Sequence, residues 1–362
     1  VSEHVSWIIV KPRLRTLTLG LLPSLILGVV MISDHIPGTN ISLTVPYAAE
    51  GQGPTFNTLE RIDGKDVVEI HAPVVDHTRG HLNMTTVSVR TDMTFVQALG
   101  RWLFYGDTIV PIEQVIPQNK TKDEIHDLNQ QAFTSSESLA TTAALHYLQL
   151  PLAVEVVSVV PSSPAENILR AEDRILTVND QPVTTSTQLR EMIVGLAPGT
   201  DVHLKVTRGG AAQDVVVTLG KHPHDANKGF LGINMSTVPA DDIEVNYNLK
   251  DIGGPSAGMI FALAVIDKLS PGELNHGKFV AGTGTITDVG EVGGIGGIRH
   301  KAAAAAEAGA ELFLAPTANC RELAGRSFGE MKIAAVRTLD DAVRAMDEYA
   351  AGQQPRSCED ES

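Results

Sequence analysis

This 362-residue chain is short of cysteine, and of positive charge relative to negative. Its two cysteines, Cys320 and Cys358, are too few for a disulfide scaffold. With no CxxC pair or Cys/His ladder there is no ligand set for structural zinc, so no metal and no other cofactor is expected. Lys and Arg number 28 against 43 Asp and Glu, a net charge of −15. No basic stripe rises above that background, which excludes a phosphate-tracking nucleic-acid binder. Low-complexity tracts are missing too, apart from the polar, acidic end 351–362, for which disorder is expected. What the chain does have is 43% hydrophobic residues, enough to fill a core, and a length that fits about two domains.

Residues 16–33, TLTLGLLPSLILGVVMIS, carry no charge. At 1.5 Å per residue they reach about 27 Å, close to the roughly 30 Å of a bilayer's hydrocarbon core. Lys11, Arg13 and Arg15 precede the run and Asp34 follows it. The positive-inside rule then keeps residues 1–15 in the cytoplasm and sends everything after the run across. The expectation is a single-pass anchor in the cytoplasmic membrane with extracytoplasmic C-terminal domains. MISDHIPGTN lacks a small-x-small cleavage pattern, which disfavours a removed signal peptide; that and a buried core helix are the alternatives. An oxidising compartment would allow Cys320 to pair with Cys358, but a free or differently paired thiol in the polar tail fits equally well.

Alternation over 67–71 and 84–90 predicts strands, and Ala-rich spacing over 123–149 predicts a helix. From Val154 the pattern changes to VEVVSVV, PSSPA, RILTVND, a helix around TSTQLREMIVGL, and strands VHLKVT and DVVVTL about a Gly-Gly turn. This order resembles a PDZ domain of the bacterial protease type, with Glu172-Asp173 and Asn179-Asp180 where that pattern carries Gly-Asp and Asn-Gly. The resemblance implies that a peptide terminus adds a strand to an open sheet edge below a carboxylate-binding loop. That loop is expected near Leu150, Leu152, Ala153 and Val154, although a plain buried strand entry would look the same.

In GGPSAGMIFALAVIDKL (253–269), Gly254 and Pro255 set a tight turn before an almost wholly apolar helix and place Ser256 in its first turn. Backbone N–H groups around Ser256 and Ala257, at the positive end of the helix dipole, suit the oxyanion of a tetrahedral intermediate. A simple helix cap fits this segment as well. Forty-five residues on, Lys301 opens an alanine-rich helix (Ala302–Ala306) closed by Gly309. A cation is unfavourable at that helix end, and apolar neighbours also disfavour its charge, which suits a base; a solvated lysine is the other reading.

GGPSAG followed by TGTIT, GEV and GGIRHK resembles the proteolytic domain of the Lon family over about residues 250–316. Carried over position by position, the resemblance makes Ser256 the nucleophile, Lys301 the general base and Thr283 a hydrogen-bonding partner that orients the amine. Gly253 stands where many members carry an acidic residue, and Asp242 and Glu244 lie near histidines of some. Together with the anchor, the chain resembles PDZ-containing, Lon-type (S16) membrane serine proteases of bacteria. The fold expected is therefore α+β: a transmembrane helix at 16–33, a first Lon-like part at 47–150, a PDZ domain at 151–221, inserted or in tandem, and the Ser-Lys part at 222–350. The resemblance implies an ATP-independent serine endopeptidase acting on proteins or peptides, and it leaves room for a homo-oligomer. An inactive PDZ scaffold is the competing class.

Two further motifs are weighed and set aside. GELNHGKF (272–279) falls short of a phosphate loop because Phe279 replaces the magnesium-binding hydroxyl. GPSAG also satisfies GxSxG, but of an esterase triad only Asp288 and His300 follow in order.

Overall fold

The computed structural model describes residues 21–23, 27–36, 38–117, 119–240, 243–250 and 252–361. Residues 16–20 and 24–26 of the expected anchor, residues 1–15 before it, and Asp242 lie outside them. Among the described residues no helix is long and apolar enough to cross a membrane. In chain order the elements that place the site are β1 (Tyr47–Asn57), β2 (His81–Arg90), α1 (Phe95–Phe104), β3 (Thr108–Pro111), α2 (Lys122–Tyr147), β4 (Leu152–Val159), β5 (Arg174–Val178), α3 (Ser186–Val194), β6 (Asp201–Arg208), β7 (Ala211–Thr218), β8 (Ile233–Pro239), α4 (Gly258–Leu269), β9 (Phe279–Gly282), α5 (Ile298–Glu307), β10 (Leu312–Pro316), β11 (Lys332–Val336) and α6 (Leu339–Ala350).

The chain forms two compact units, residues 1–54 with 86–125, and residues 55–85 with 126–362. In the smaller unit β1 pairs antiparallel with β3, Tyr47 opposite Pro111 and Glu50 opposite Thr108. Its α1 starts with a reciprocal cap: Gln97 N–H donates to Thr94 Oγ1 and Thr94 N–H to Gln97 Oε1, so two donors with no partner inside the helix are satisfied. The buried core here is small, Ala49, Met93 and Ala98 with Val45 and Ile109 against them.

The larger unit holds two main sheets besides short two-stranded ladders. One is parallel: β9 lies between the start of β2 (Phe279 opposite His81) and β10 (Val280 opposite Leu312), and β10 pairs onward with β11. All five residues of β10, LFLAP, are buried, as expected of a strand covered on both faces. Helix α4 is apolar on every side up to Ile266, and all but one of its residues, Asp267 and Lys268 included, are buried, so it runs through the core rather than along it. Its cluster takes Phe133, Ala140 and Ala144 from α2, Leu82 and Met84 from β2, and Leu339 and Met346 from α6. Residues before β4 and residues after β8 thus share one core.

The other sheet, ordered β7-β6-β5-β4-β8, closes its own core of Val154, Ile175, Leu189, Leu204 and their neighbours. The β6–β7 hairpin turns on Gly209 and Gly210, both at positive φ (55° and 80°), the geometry whose twist matches the flanking strands. The sheet continues past residue 221, because β8 pairs along all of β4 from Ile233–Val159 to Pro239–Leu152.

The acidic end is ordered, contrary to the disorder expected from its composition. Cys358 is buried and bonded to Cys320. Ala335 N–H donates to Arg356 O at 2.8 Å, and Arg337 pairs with Glu361. A covalent tie and a backbone bond to the edge strand β11 hold a segment too polar to bury itself.

Candidate active site

Ser256 lies in the turn before α4, two residues ahead of Gly258 rather than inside the helix. The N-cap of α4 is Ala257, with no side-chain cap bond, so Ser256 does not cap it. The turn is pinned from both sides. Gly254, at φ +88°, donates its N–H to Asn129 O of α2 at 2.8 Å, and Ser136 Oγ donates to Pro255 O at 3.0 Å. On the opposite side Ser256 O accepts from Gly284 N–H at 2.9 Å and from Thr283 Oγ1 at 3.0 Å. A Cβ on Gly253 would fall 2.8 Å from Asn129 Cβ, and one on Gly258 2.8 Å from Ser136 Oγ. Here α2 passes too close for the acidic side chain found at the Gly253 position in many Lon proteins. Glu244 stands opposite His71 in a short ladder.

Lys301 extends from the first turn of α5, whose N-terminal cap is Gly297 in the left-handed region at φ +68°. Its ammonium Nζ reaches Ser256 Oγ at 2.6 Å and Thr283 Oγ1 at 3.0 Å. The side chain is only 2% exposed. Burial without a carboxylate partner disfavours the charged form and brings its pKa down to about 8. A hydroxyl, an amine near neutrality and a second hydroxyl that orients the amine are the parts of an activated nucleophile. His300, one residue and hence about 100° around the helix from Lys301, and Asp288 are not needed to bring a base to Ser256.

Asn129, Ser136 and Gly284 complete this frame, and sequence reading does not single them out. The signal available for Ser136 was a hydroxyl run, TSSES, in the middle of a helix, where such residues are disfavoured unless bonded.

The second sheet carries a separate cavity of about 210 Å³ between α3 and β8, lined by Leu189, Ile193, Phe230, Leu231, Ile233 and Met235, with Arg190 and His222 as its basic groups. The loop GFLG (229–232), whose first two residues end the strand Asp225–Phe230, forms one end. Gly232, at φ +84°, would place a Cβ 2.1 Å from Ser163 Cβ, and a Cβ on Gly229 would fall 2.6 Å from Ile193 O, so this loop packs by backbone. The expectation for Leu150, Leu152, Ala153 and Val154 is corrected here. Leu150 N–H closes the end of α2 on Leu145 O, and the other three are buried on β4 between β5 and β8. A strand flanked on both edges cannot accept another; β8, last in its sheet, can. Sequence order puts β4 first, but edge position depends on which later strand returns beside it.

Among the described residues no group of three or more His, Cys, Asp or Glu could hold a metal ion. Comparison with known proteins finds two family models that match successive parts of the chain. A model of the PDZ domain matches residues 86–219, and a model of the Lon protease (S16) C-terminal proteolytic domain matches 242–346. A probable periplasmic serine endoprotease, DegP-like, of Halomonas elongata is 42% identical over 81 residues, 22% of this chain and 17% of that protein. A Lon protease of Campylobacter concisus is 37% identical over 95 residues, 25% of this chain and 12% of that protein. The chain therefore spans less than a fifth of the length of either relative. Among solved structures, the PDZ domain of an SdrC-like protein from Listeria monocytogenes aligns with 23% of this chain and 85% of its own, at 22% identity and a TM-score of 0.21.

Proposed function

From a chain that joins a PDZ domain to a Lon-type (S16) proteolytic domain, mixed in helix and strand, we propose a serine endopeptidase working through a Ser256–Lys301 dyad. The observation that carries this reading is the 2.6 Å contact between the buried Lys301 amine and the Ser256 hydroxyl. Neutral Lys301 takes the Ser256 proton as Oγ attacks a peptide carbonyl carbon, and the oxyanion forms beside the N–H groups of Ser256 and Ala257 at the approach to α4. The Lys301 ammonium then protonates the leaving amine as the C–N bond breaks, which leaves an acyl ester on Ser256. Water, deprotonated by the same amine, attacks that ester and releases the acid. Thr283 holds the amine and, through Ser256 O, the serine backbone in one geometry.

The α3–β8 groove binds a peptide end: the strand edge of β8 supplies main-chain partners, the apolar lining takes one or two side chains, and Arg190 with His222 favours a terminal carboxylate. ATP has no part in this reading. In segment 272–279, His276 pairs with Asp347 at the surface and Phe279, in place of a magnesium-binding hydroxyl, opens β9. The apolar run 16–33 anchors the chain in the cytoplasmic membrane with both domains outside, a compartment in which the Cys320–Cys358 bond is stable.

A fluorophosphonate that phosphonylates serine nucleophiles, with the modified peptide identified by mass, tests the central claim. Label on Ser256 in the wild type, lost in Ser256→Ala and strongly slowed in Lys301→Ala, is expected. Label elsewhere, or equal rates in all three proteins, would overturn it.

A further inference from the structure

Helix α1 wears its amphipathicity inside out. It turns small Ala98 to the core, and its Arg101 pairs with buried Asp107 at 2.5 Å. Its large apolar side chains face outward: Phe95 is 47% exposed, Leu99 39%, Trp102 59% and Leu103 55%. These four fall at i, i+4, i+7 and i+8, one continuous stripe. Phe104 and Tyr105, more exposed still, prolong it at the C-terminal end. Four of the chain's sixteen aromatic residues are thus displayed within eleven positions, where a soluble monomer rarely keeps a contiguous apolar patch.

The chain path says what covers this stripe. Asp34, the first residue after the apolar run, accepts a hydrogen bond from Leu43 N–H at 2.7 Å. Two residues on, Val45 N–H donates to Met93 O at 2.8 Å, and Met93 immediately precedes Thr94, the cap of α1. Two hydrogen-bonded steps and two residues separate the end of the run from the start of the helix, at most about 20 Å. Among the described residues of the run, Leu21, Leu22, Leu27, Val29 and Ile32 are at least half exposed, and Val30 is 41% exposed. Trp and Tyr, flanked by Leu and Phe, are the side chains that favour the boundary between headgroups and acyl chains. We infer that the outward stripe of α1 lies in the interfacial layer of a lipid bilayer, beside the point where the 16–33 run enters it. The helix lies on the membrane and does not cross it, since ten residues span only about 15 Å. The stripe itself is uncharged, so the attraction is apolar and does not require anionic lipid.

This inference rests on the anchor reading, and the test separates the two. Trp7→Phe leaves Trp102 as the only indole in the 362-residue chain. The protein is reconstituted in phosphatidylcholine vesicles with and without lipid brominated near the headgroup end of the acyl chain, while resistance to alkaline carbonate extraction reports the anchor independently. The expected result is a roughly twofold loss of Trp102 emission in the brominated vesicles, with most of that quenching removed by adding Leu103→Ser and Phe104→Ser, at unchanged circular dichroism. Unquenched Trp102 in a chain that resists extraction would overturn the inference and leave the anchor standing. Unquenched emission that turns red on dilution would assign the stripe to a second copy of the chain instead. Quenching that ignores the double substitution would also overturn it. If carbonate extracts the protein while Trp102 is still quenched, the anchor reading fails and the surface contact stands.

Discussion

The charge state of Lys301 offers the sharpest test of the chemistry. Burial lowers its pKa from 10.5 to about 8. A fall of that size corresponds to about 3 kcal/mol in favour of the neutral amine. At pH 7 the neutral fraction rises from about 3 in ten thousand to about one in eleven, a gain of roughly 300-fold in competent base. The second-order rate of fluorophosphonate labelling of Ser256 reads this fraction directly and needs no known substrate. It should climb about tenfold per pH unit from pH 5.5 to 7.5, bend near 8 and flatten by 9.5. Lys301→Met should lose both the rate and the bend. A wild-type rate that is flat over this range, or that still rises tenfold per unit beyond pH 10, would mean that the amine is not held neutral in the site. The reasoning from burial to base would then be wrong, whatever the distance between the two side chains.

The same burial is a cost to the fold, and its sign can be checked. Between the folded pKa near 8 and the unfolded value of 10.5 the unfolded chain binds more protons, so wild-type stability rises with pH across that window. Lys301→Met should therefore be the more stable protein at pH 7 in urea melts, by up to about 3 kcal/mol less the hydrogen bonds lost, with the gain gone by pH 10.5. Thr283→Val keeps the shape but removes the hydroxyl shared by Lys301 Nζ and Ser256 O; labelling should slow about fivefold to tenfold, as measured at pH 9 where the base is already neutral. The Cys320–Cys358 bond closes a loop of 38 residues. Reducing it should lower stability by about 4 kcal/mol and expose residues 351–361 to limited proteolysis. In the groove, Gly232→Ala meets Ser163 at 2.1 Å in the left-handed region, so titration with a fluorescent peptide bearing a free C-terminus should show at least about a tenfold loss of affinity, with Ser256 labelling unchanged.

Local chemistry was legible from the residues themselves. The all-apolar run of α4, the Gly-Gly hairpin between β6 and β7 and the alanine-rich α5 each follow from period and turn preference over about a dozen neighbouring positions. Ser256 and Lys301 could be named for the same reason, since each lies in a short segment whose backbone is set by its own glycines, whereas Thr283 came only from the resemblance to the Lon family. Where Ser256 stands was read two residues wrong, inside the helix rather than ahead of it, because helix ends depend on what pins them.

Those pins are non-local. The turn before α4 is held by Asn129 and Ser136, more than a hundred residues earlier, and the serine carbonyl by Thr283 and Gly284, 27 and 28 residues later. No pattern within one segment encodes such pairings. The peptide groove shows the limit most plainly: β4 was expected to offer its edge, but β8, arriving some 75 residues on, takes that edge and becomes the open one. The tail's order depends likewise on a partner 38 residues away. By itself, then, the sequence determined which side chains could do chemistry and which stretches would be helix or strand, because covalent neighbours and side-chain size act over a few residues. Only the folded arrangement decided which amine meets which hydroxyl, which strand ends a sheet and which apolar stripe is left facing outward, because burial and edge position are properties of segments brought together across the whole chain.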